Sequence, residues 1–400
     1  MLSTEKRNLK RILLLFIYPF IFLLKVIPRN KKIWVFGNFK GYLDNTKYLY
    51  EFVEEKDELK VYWITRDEKL YKLLKSKNKR VLYYGSLKAV WISLRAGVSF
   101  QSNGYSDLNK IAALNSFNIN LWHGFPIKKI IFDAELEVKF SSFGLMNSAL
   151  TFLSSKALMF LNNKIDLFVV SSNIELKRMA NAFKVSKDKF RIVGTPRFDI
   201  INKEIDSIPS IAAIFEKHNI TKGKNIMYAP TWRENGWNSK QIINNTKRFN
   251  SFLETNNSYF YIKKHPLTTK KEIENWGIKE NKRIIFTSDF DINESYKFID
   301  ILITDFSSLI FDYGILNKPI LYFITDLKDY SDNRGFYDDV TKISGNKINQ
   351  TWDDLITSLE ANIKQDRYID HLHFDYLMQN PPNNVRENII KMVNKEIKNG

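Results

Sequence analysis

The segment ILITDFSSLIFDYGILNKPILYF, residues 301–323, reads as an apolar strand, a turn, an amphipathic helix and a second apolar strand. Two such strands separated by one helix predict a βαβ unit with parallel strands. The first strand ends at Thr304 and Asp305, and Ser307 and Ser308 open the helix. A helix start presents unpaired backbone N–H groups and a partial positive charge, so the serine pair predicts a phosphate-binding turn. The alternative is that Asp305 or Ser307 only caps the helix.

The same alternation of strand and helix extends over most of the chain. One series of candidate strands runs from IWVFG (33–37) to FRIVGTP (190–196), and a second runs from NIMYAPTW (225–232) to PILYF (319–323). This pattern predicts an α/β fold of two doubly wound, Rossmann-like domains. The predicted domains are an N-terminal segment 1–30, an acceptor-side domain 31–205, a donor domain 206–345, and C-terminal helices 346–400 that pack back over the domain junction.

The first thirty residues differ in composition from the rest. Residues 12–24 are uncharged and almost wholly apolar, with basic residues on both sides, and Pro19 interrupts them. Thirteen helical residues rise only about 20 Å, which is short of a hydrocarbon core of roughly 30 Å. No small-residue cleavage site follows them, which disfavours a signal peptide. The segment therefore predicts an in-plane membrane anchor, with a buried N-terminal helix or a true span as alternatives.

Composition narrows the possible chemistry. Lysine and arginine number 61 against 44 acidic residues, so the formal net charge is +17 and polyanions or anionic lipid are the expected partners. There is no cysteine, which excludes disulfides, Cys-ligated zinc and thiol catalysis. The sequence also contains no H-E-x-x-H cluster, no P-loop and no G-x-G-x-x-G after the first strand. We predict no metal ligands and no tightly bound cofactor.

Two of the five histidines follow candidate strands. His123, in LWHGFPIKKI, precedes Gly124, which lets a ligand approach the backbone, and an imidazole there can take a proton from a hydroxyl. His265, in YIKKHPL, lies in a cationic cluster suited to a breaking pyrophosphate. The alternatives are a packed turn histidine and an exposed basic strand edge. Further candidate binding residues follow other strands or lie in nearby loops: Lys128, Arg197, Thr231, Arg233, Lys263, Lys264, Pro266, Thr304, Asp312 and Arg334.

In this order, the motifs WHG-x-P-x-K-K, G-T-P-R-x-D, Y-A-P-T-W-R, K-x-H-P, T-D-x-S-S-x-x-x-D and R-G-F-Y resemble the CDP-glycerol glycerophosphotransferase family. The resemblance covers roughly residues 30–345. It implies a GT-B-like fold whose two domains face a cleft, a CDP-polyol donor such as CDP-glycerol, and peripheral attachment to the cytoplasmic face of a bacterial membrane. His123 matches the family's base, His265 the donor-phosphate histidine, and Ser307 with Ser308 the donor-phosphate loop.

The resemblance implies transfer of a polyol phosphate to a hydroxyl of a lipid-linked or polymeric acceptor, with release of CMP. A bridging Mg²⁺ is left open. The sequence also does not decide whether the polyol is glycerol or ribitol, whether the enzyme is a primase or a polymerase, or what its oligomeric state is. Phe125 departs from the family motif, which often has threonine there, and so leaves acceptor identity open. Two rival functions remain: a glycosyltransferase that uses a nucleotide sugar, with Asp305 or Asp312 as base, and a basic lipid- or nucleic-acid-binding protein without catalysis. We expect no nucleic-acid partner.

Overall fold

The computed structural model describes residues 3–109, 116–134, 139–201, 216, 223–231, 243, 245–263, 277–287, 291–327, 335–345, 347–365 and 383–399. The chain divides into two compact units. The first comprises Met1–Gly124, Ile130–Asp199 and Pro381–Gly400, and the second comprises Phe125–Lys129 and Ile200–Asn380. Each unit is built on one parallel sheet, which confirms the predicted α/β class.

The first unit contains a sheet of order β3-β2-β1-β4-β5-β6-β7. Its strands are β1 Asn30–Gly37, β2 Lys60–Thr65, β3 Val81–Tyr83, β4 Ala96–Gln101, β5 Phe117–Asn120, β6 Leu167–Val170 and β7 Phe190–Ile192. All six pairings are parallel. The order reverses between β1 and β4, and loops at such a switch point form the usual ligand crevice of doubly wound sheets.

The second unit contains a sheet of order β10-β9-β8-β11-β12-β13. Its strands are β8 Lys224–Ala229, β9 Ser258–Lys263, β10 Ile284–Thr287, β11 Ile301–Thr304, β12 Ile320–Phe323 and β13 Ile348–Asn349. All pairings are again parallel, and the switch point lies between β8 and β11. Sequence patterns indicated every strand except β13, whose two residues carry too little apolar periodicity to be recognised.

Helices connect the strands in both units. Those of the described residues are α1 Ser3–Ile21, α2 Asp44–Glu54, α3 Glu68–Ser76, α4 Leu87–Arg95, α5 Asn147–Asn163, α6 Asn173–Phe183, α7 Phe198–Ile201, α8 Thr246–Thr255, α9 Ile292–Ser295, α10 Leu309–Gly314, α11 Val340–Ile343, α12 Trp352–Gln365 and α13 Val385–Asn399. Polar side chains start several of them: Asp67 accepts N–H bonds from Lys69 and Leu70, and Ser172 accepts one from Glu175. These caps satisfy donors that a helix start leaves unpaired.

One face of helix α1 packs against the rest of the first unit. The Glu5 carboxylate accepts backbone N–H bonds from Ser141 and Ser142, and Tyr18 meets Phe160 of α5 edge to face at 4.6 Å. Pro19 lies inside the helix, and a 3-10 turn, Phe22–Val26, continues it. Among the described residues, no helix has both the length and the apolar character that a membrane span requires.

The two C-terminal helices belong to different units. Helix α12 packs into the core of the second unit, where Trp352, Leu355, Ile356 and Leu359 are buried. Helix α13 falls in the first unit. The predicted boundaries at 30, 205 and 345, and the predicted packing of residues 346–400 over the domain junction, stay predictions.

Candidate active site

His123 lies three residues beyond the end of β5, so it follows a strand as the sequence predicted. Its imidazole is half-buried, and Nδ1 lies 3.0 Å from the backbone carbonyl oxygen of Ser102, which follows β4. A carbonyl can only accept, so this contact places the proton of a neutral imidazole on Nδ1. Nε2 then keeps the lone pair that a general base needs.

The surroundings of His123 keep its ring neutral. Burial, together with the positive charges of Lys40 and Arg197, lowers the pKa of His123 to about 3, while the Ser102 carbonyl opposes the shift. Burial disfavours the charged imidazolium because it removes water from around the ring. The imidazole is therefore unprotonated throughout the physiological pH range.

Trp122 fixes the direction in which the next residue leaves the strand. Its φ of 52° lies in the left-handed region, which is costly for a bulky side chain. Asn45 stabilises this conformation by donating to the carbonyls of Leu121 and Trp122, and the Asn120 side chain accepts the Trp122 N–H at 2.8 Å. The strained turn is thus held from both sides and sets the position of His123.

Asp107 joins the turn that carries Ser102 to the turn after β1. Its buried carboxylate accepts N–H bonds from Ser102 and Asn103 at 2.7 Å each and from Phe39 at 3.0 Å. Gly37 permits this approach, because a Cβ added there would lie 2.2 Å from the Asp107 carbonyl oxygen. Asp107 therefore orients the carbonyl that holds His123, although it has no contact with the imidazole among the bonds described.

Arg197, a predicted binding residue, is buried in the first unit. Its side chain is only 4% exposed and pairs with Asp44 at 3.3 Å, and its backbone N–H donates to the Asn45 side chain. Because Arg197 is buried, water screens its positive charge only weakly, and this charge contributes to the lowered pKa of His123.

Buried polar groups surround this end of the first sheet. Within the described residues, the Gln101 amide, Asn120 Nδ2, Ser102 Oγ and Thr195 Oγ1 have no hydrogen-bond partner. Buried polar groups of folded proteins are almost always paired, with protein or with water. These atoms lie at or just beyond the carboxyl ends of β4, β5 and β7, the end of a doubly wound sheet at which ligands usually bind.

The second unit has its own cluster at the switch point between β8 and β11. The Asp305 carboxylate accepts bonds from the Thr231 N–H at 2.9 Å and hydroxyl at 2.6 Å, and the Thr304 hydroxyl donates to the Ala229 carbonyl at 2.7 Å. Asp305 is thus a clamp between two strand ends. Its roles as the base of the glycosyltransferase alternative and as a helix cap stay predictions.

Ser307 and Ser308 keep most of their hydrogen-bonding capacity. Helix α10 begins after Ser308, whose side chain makes no capping bond, and the only bond described for Ser307 Oγ is a long one of 3.4 Å from the Leu309 N–H. Both residues are half-buried, whereas Asp312, one turn later, is 4% exposed. The serine hydroxyls are therefore placed to meet a ligand at the carboxyl end of β11.

The segment that begins two residues after His123 belongs to the second unit. Residues Phe125–Lys129 pack there, with antiparallel bonds from Lys129 N–H to the Gly335 carbonyl and from Tyr337 N–H to the Ile127 carbonyl. Lys128 forms a backbone bridge with Phe336. Phe125 is 3% exposed, and its ring lies 4.3 Å from that of Phe311 in α10. Phe125, the residue that departs from the family motif, is therefore part of the core of the second unit.

A family comparison matches residues 19–391 to the CDP-glycerol:poly(glycerophosphate) glycerophosphotransferase family. The chain belongs to this family. A teichoic acid poly(glycerol phosphate) polymerase of Bacillus spizizenii is 30% identical over 90% of this chain and 91% of its own. A teichoic acid glycerol-phosphate transferase of Staphylococcus aureus is 27% identical over 89% of this chain and 90% of its own.

The fold of this glycerophosphotransferase chain also matches solved structures. The wall teichoic acid polymerase TagF superposes with a TM-score of 0.75 at 21% identity, covering 99% of this chain and 97% of that one. A UDP-GlcNAc 2-epimerase from Methanocaldococcus jannaschii superposes with a TM-score of 0.57 at 12% identity over 92% of this chain and 100% of its own. These likenesses support the GT-B-like α/β fold.

The predicted site residues of this family member divide into three groups. His123, Gly124 and Arg197 lie together in the first unit, and Lys128, Thr231, Lys263, Thr304, Asp305, Ser307, Ser308 and Asp312 lie in the second. His265, Arg233, Lys264, Pro266 and Arg334 lie outside the described residues. The roles assigned to all of them stay predictions.

Sequence reasoning missed the residues that build the surroundings of His123. Asn45 and Ser102 act through contacts distant in sequence, and Asp107 bonds the distant Phe39 as well as the nearby turn at Ser102. Lys40 had a weak signal, because the run GNFKG follows the first strand directly. Its exposed side chain is one of the two charges that lower the pKa of His123.

Proposed function

We propose that this protein transfers glycerol phosphate, or a similar polyol phosphate, from a CDP-polyol to a hydroxyl of a lipid-linked or polymeric acceptor in teichoic acid or capsule synthesis. The observation that carries the proposal is His123, a neutral imidazole with Nδ1 bound to a carbonyl, in a chain of the glycerophosphotransferase family. The family description, which names CDP-glycerol, supports the donor class, and the polymerase and transferase names of the relatives support the product class.

In the proposed reaction the acceptor oxygen attacks the β-phosphorus of the CDP-polyol. His123 Nε2 takes the hydroxyl proton, a new P–O bond forms, and the bond from the β-phosphorus to the bridging oxygen breaks, so that CMP leaves. Such phosphoryl transfer depends mainly on positioning and charge stabilisation. We assign the donor phosphates to Ser307 and Ser308, together with His265, Lys263 or Lys264, and Arg233. A part for Mg²⁺ in the reaction stays open.

The low pKa of His123 fits an anionic acceptor. A general base acts best when its pKa is near the working pH, and a pKa of about 3 is far below it. Lys40 and Arg197 contribute to this shift. A terminal phosphodiester of the acceptor next to Lys40 would offset that charge and raise the pKa of His123, although the larger part of the shift, which comes from burial, would remain. The base would then gain strength when the acceptor is bound.

Release of CMP from CDP-glycerol and CDP-ribitol, compared with UDP-sugar turnover, tests the proposal. We expect CMP from a CDP-polyol, and we expect His123→Ala to lower kcat by about 10²- to 10⁴-fold, the usual contribution of a general base. His373→Ala, which changes a histidine that the sequence gives no catalytic role, is the control. Full turnover in His123→Ala would remove His123 as the base, and turnover of UDP-sugars alone would reject the function.

We further propose that α1 holds the protein on an anionic membrane surface at the cytoplasmic face. The outer side of the helix begins with exposed Lys6 and Lys10 and continues with Leu13, Phe16 and Phe20, whose side chains are 57%, 67% and 70% exposed. Basic residues beside an apolar stripe are typical of helices that lie in a membrane interface.

Sedimentation with phosphatidylglycerol vesicles tests this attachment. Replacing Leu13, Phe16 and Phe20 by glutamine is expected to weaken binding on the order of 100-fold, since each side chain contributes about 1 kcal/mol when partly inserted. Leu73→Gln with Leu87→Gln, which changes exposed apolar residues of α3 and α4, is the control. Equal binding by the two variants would reject α1 as the anchor.

A further inference from the structure

The first unit has a second concave region, which the proposed reaction does not use. It is a groove of about 620 Å³ between α3, β3 and the start of α4. Strand β3 is an edge strand of the sheet, so the groove opens along the margin of the unit. Tyr71 and Tyr83 contribute to its wall with ring centroids 5.9 Å apart, and Tyr83 is 40% exposed. The groove thus offers aromatic surface to a bound molecule.

The groove carries an excess of positive charge after its ion pairs are counted. Five basic residues and one acidic residue line it. Lys72 pairs with Glu68 at 2.7 Å, and Lys79 pairs with Glu54 at 2.6 Å. Subtracting these two pairs from the five basic residues leaves three charges, those of Lys75, Arg80 and Lys88.

Two of these three cations are free to bind an anion. Within the part of the chain that the structure describes, neither Lys75 nor Lys88 has an acidic partner, and both are exposed. The Lys75 ammonium lies 5.7 Å from the centroid of the Tyr71 ring. Arg80 is partly engaged, because its guanidinium donates to the Leu59 carbonyl. An incoming anion therefore meets lysines that need not break an existing ion pair.

The groove lies apart from His123. Four inter-strand spacings separate β3 from β5, the strand that leads to His123, and at about 4.8 Å each these amount to roughly 19 Å. A donor diphosphate bound at such a distance could not take part in the reaction at His123. A long anionic chain with one end near His123 could reach the groove.

We propose that this groove binds the phosphodiester backbone of the polyol-phosphate polymer, several units away from the hydroxyl that reacts. This inference rests on the proposed function, because it takes the acceptor to be such a polymer. Phosphates spaced along the chain pair with Lys75 and Lys88, and the C–H faces of the polyol units pack on the Tyr71 and Tyr83 rings. The groove thereby holds a growing chain between successive additions.

The shape and chemistry of the groove favour a polymer over a membrane surface. A flat lipid surface meets protruding side chains, whereas the tyrosines and lysines here line a concavity at a sheet edge. A polyol-phosphate chain is narrow and flexible, and it offers alternating anionic and aliphatic groups. The groove presents the complementary alternation of ammonium groups and aromatic rings.

Fluorescence anisotropy with a labelled, lipid-free glycerol-phosphate oligomer tests the proposal directly. The double variant Lys75→Gln/Lys88→Gln is expected to bind it about five- to tenfold more weakly. The slope of log K against log salt should become shallower by about 1.4, since each contact with a phosphate of a flexible polyanion contributes roughly 0.7. The matched control is Lys177→Gln/Lys187→Gln, which removes two exposed lysines in α6 and the turn after it. Equal weakening by both pairs would reject the groove.

A kinetic comparison separates this proposal from the proposed function. Wild type is expected to have a lower KM for a long oligomeric acceptor than for a short one, and Lys75→Gln/Lys88→Gln should lose that difference while its CMP release with the short acceptor stays unchanged. Unaltered length dependence in the variant would overturn the groove proposal alone. No CMP release by wild type from any CDP-polyol would reject the proposed function, and the anisotropy result would still decide on the groove.

Two further probes determine the class of ligand. Phosphatidylglycerol vesicles and single-stranded DNA of matched charge are compared with the oligomer on wild type and on the double lysine variant. Selective loss of oligomer binding supports the proposal. If the substitutions reduce vesicle or DNA binding as much as oligomer binding, or more, the assignment of the groove to a polyol-phosphate chain is wrong.

Discussion

At the scale of single residues, His123 is controlled by its environment more than by its own chemistry. The Ser102 carbonyl fixes the proton on Nδ1, and burial together with the charges of Lys40 and Arg197 keeps the ring neutral. The left-handed backbone conformation of Trp122 positions the imidazole of His123 beside the Ser102 carbonyl. The ring is therefore neutral before a substrate arrives, but its pKa of about 3 makes it a weak base until the acceptor is bound.

The lowered pKa of His123 predicts a pH-dependent loss of stability. The pKa is about 6.5 in the unfolded chain and about 3 in the folded one. Below pH 6.5 the unfolded state therefore binds a proton that the folded state does not bind, and the free energy of unfolding falls as the pH decreases toward 3. The loss from this one group is at most about 1.4 kcal/mol per pH unit.

Urea denaturation at pH 7.5 and pH 5.5 measures this effect. The variant His123→Asn has no group that titrates there, so wild type should lose more stability between the two pH values than the variant does. All other groups are common to both proteins and cancel in the comparison. An equal loss in both would mean that burial does not shift the pKa of His123 as described.

At the scale of elements, the turns after β1, β4 and β5 act as one assembly. Asp107 bonds the turns after β1 and β4, and Asn45, in the first turn of α2, holds the turn after β5. The strands themselves are specified by runs of apolar residues, which any parallel sheet requires. The turns depend instead on polar contacts between segments far apart in sequence.

Asp107→Asn is predicted to impair both stability and turnover. The amide cannot accept all the N–H bonds that the two carboxylate oxygens accept, so we expect a loss of about 2 kcal/mol in the free energy of unfolding. Since the Ser102 carbonyl would be less fixed against His123, kcat for CMP release should fall while KM for the CDP-polyol stays nearly constant.

Asp67→Asn is the matched control for Asp107→Asn. Asp67 also accepts two backbone N–H bonds, but it does so at the exposed start of α3, where asparagine is an equally good cap. We expect this variant to change stability by a few tenths of a kcal/mol at most and to leave CMP release unchanged. If kcat for CMP release fell in both variants, or stayed unchanged in both, a positioning role for Asp107 would be contradicted.

At the scale of the whole chain, the first unit is completed by residues from the C-terminus. The Asp199 carboxylate accepts the backbone N–H groups of Val385 and Arg386 at the start of α13, and it also accepts Nε of Arg386 at 3.0 Å. Arg191 and Glu396 form a second ion pair to the same helix at 2.7 Å. The last residue of the motif G-T-P-R-x-D therefore caps a helix that begins 186 residues later.

Asp199→Ala is predicted to lower the free energy of unfolding of the first unit by about 3 kcal/mol. The substitution removes a helix cap and leaves the mostly buried Arg386 guanidinium without its partner. Asp353→Ala is the control, because it breaks an exposed ion pair with Arg248 and should cost less than about 1 kcal/mol. Thermal or urea unfolding measures both, and similar values for the two would argue against the capping role.

Local patterns were sufficient for much of this protein. Alternating strand and helix segments predicted parallel α/β sheets, and the six ordered motifs predicted the glycerophosphotransferase family to which the chain belongs. The position of His123 after a strand also followed from sequence. These features depend on residues close together in the chain, where periodicity and spacing carry the information.

Only the tertiary structure decided how individual polar residues are used. Asp305 bonds Thr231 over 74 residues, Arg197 pairs with Asp44 over 153, and Asp199 caps α13 over 186. The local sequence predicted Arg197 and Asp305 as ligand-binding residues and gave Asp199 no role beyond its place in a motif. The partner that settles its role lies in another element, and hydrogen bonds between distant segments leave no periodic trace in the sequence. The sequence by itself therefore determined the fold class and the family, and the folded chain determined which polar groups are structural and which remain free for chemistry.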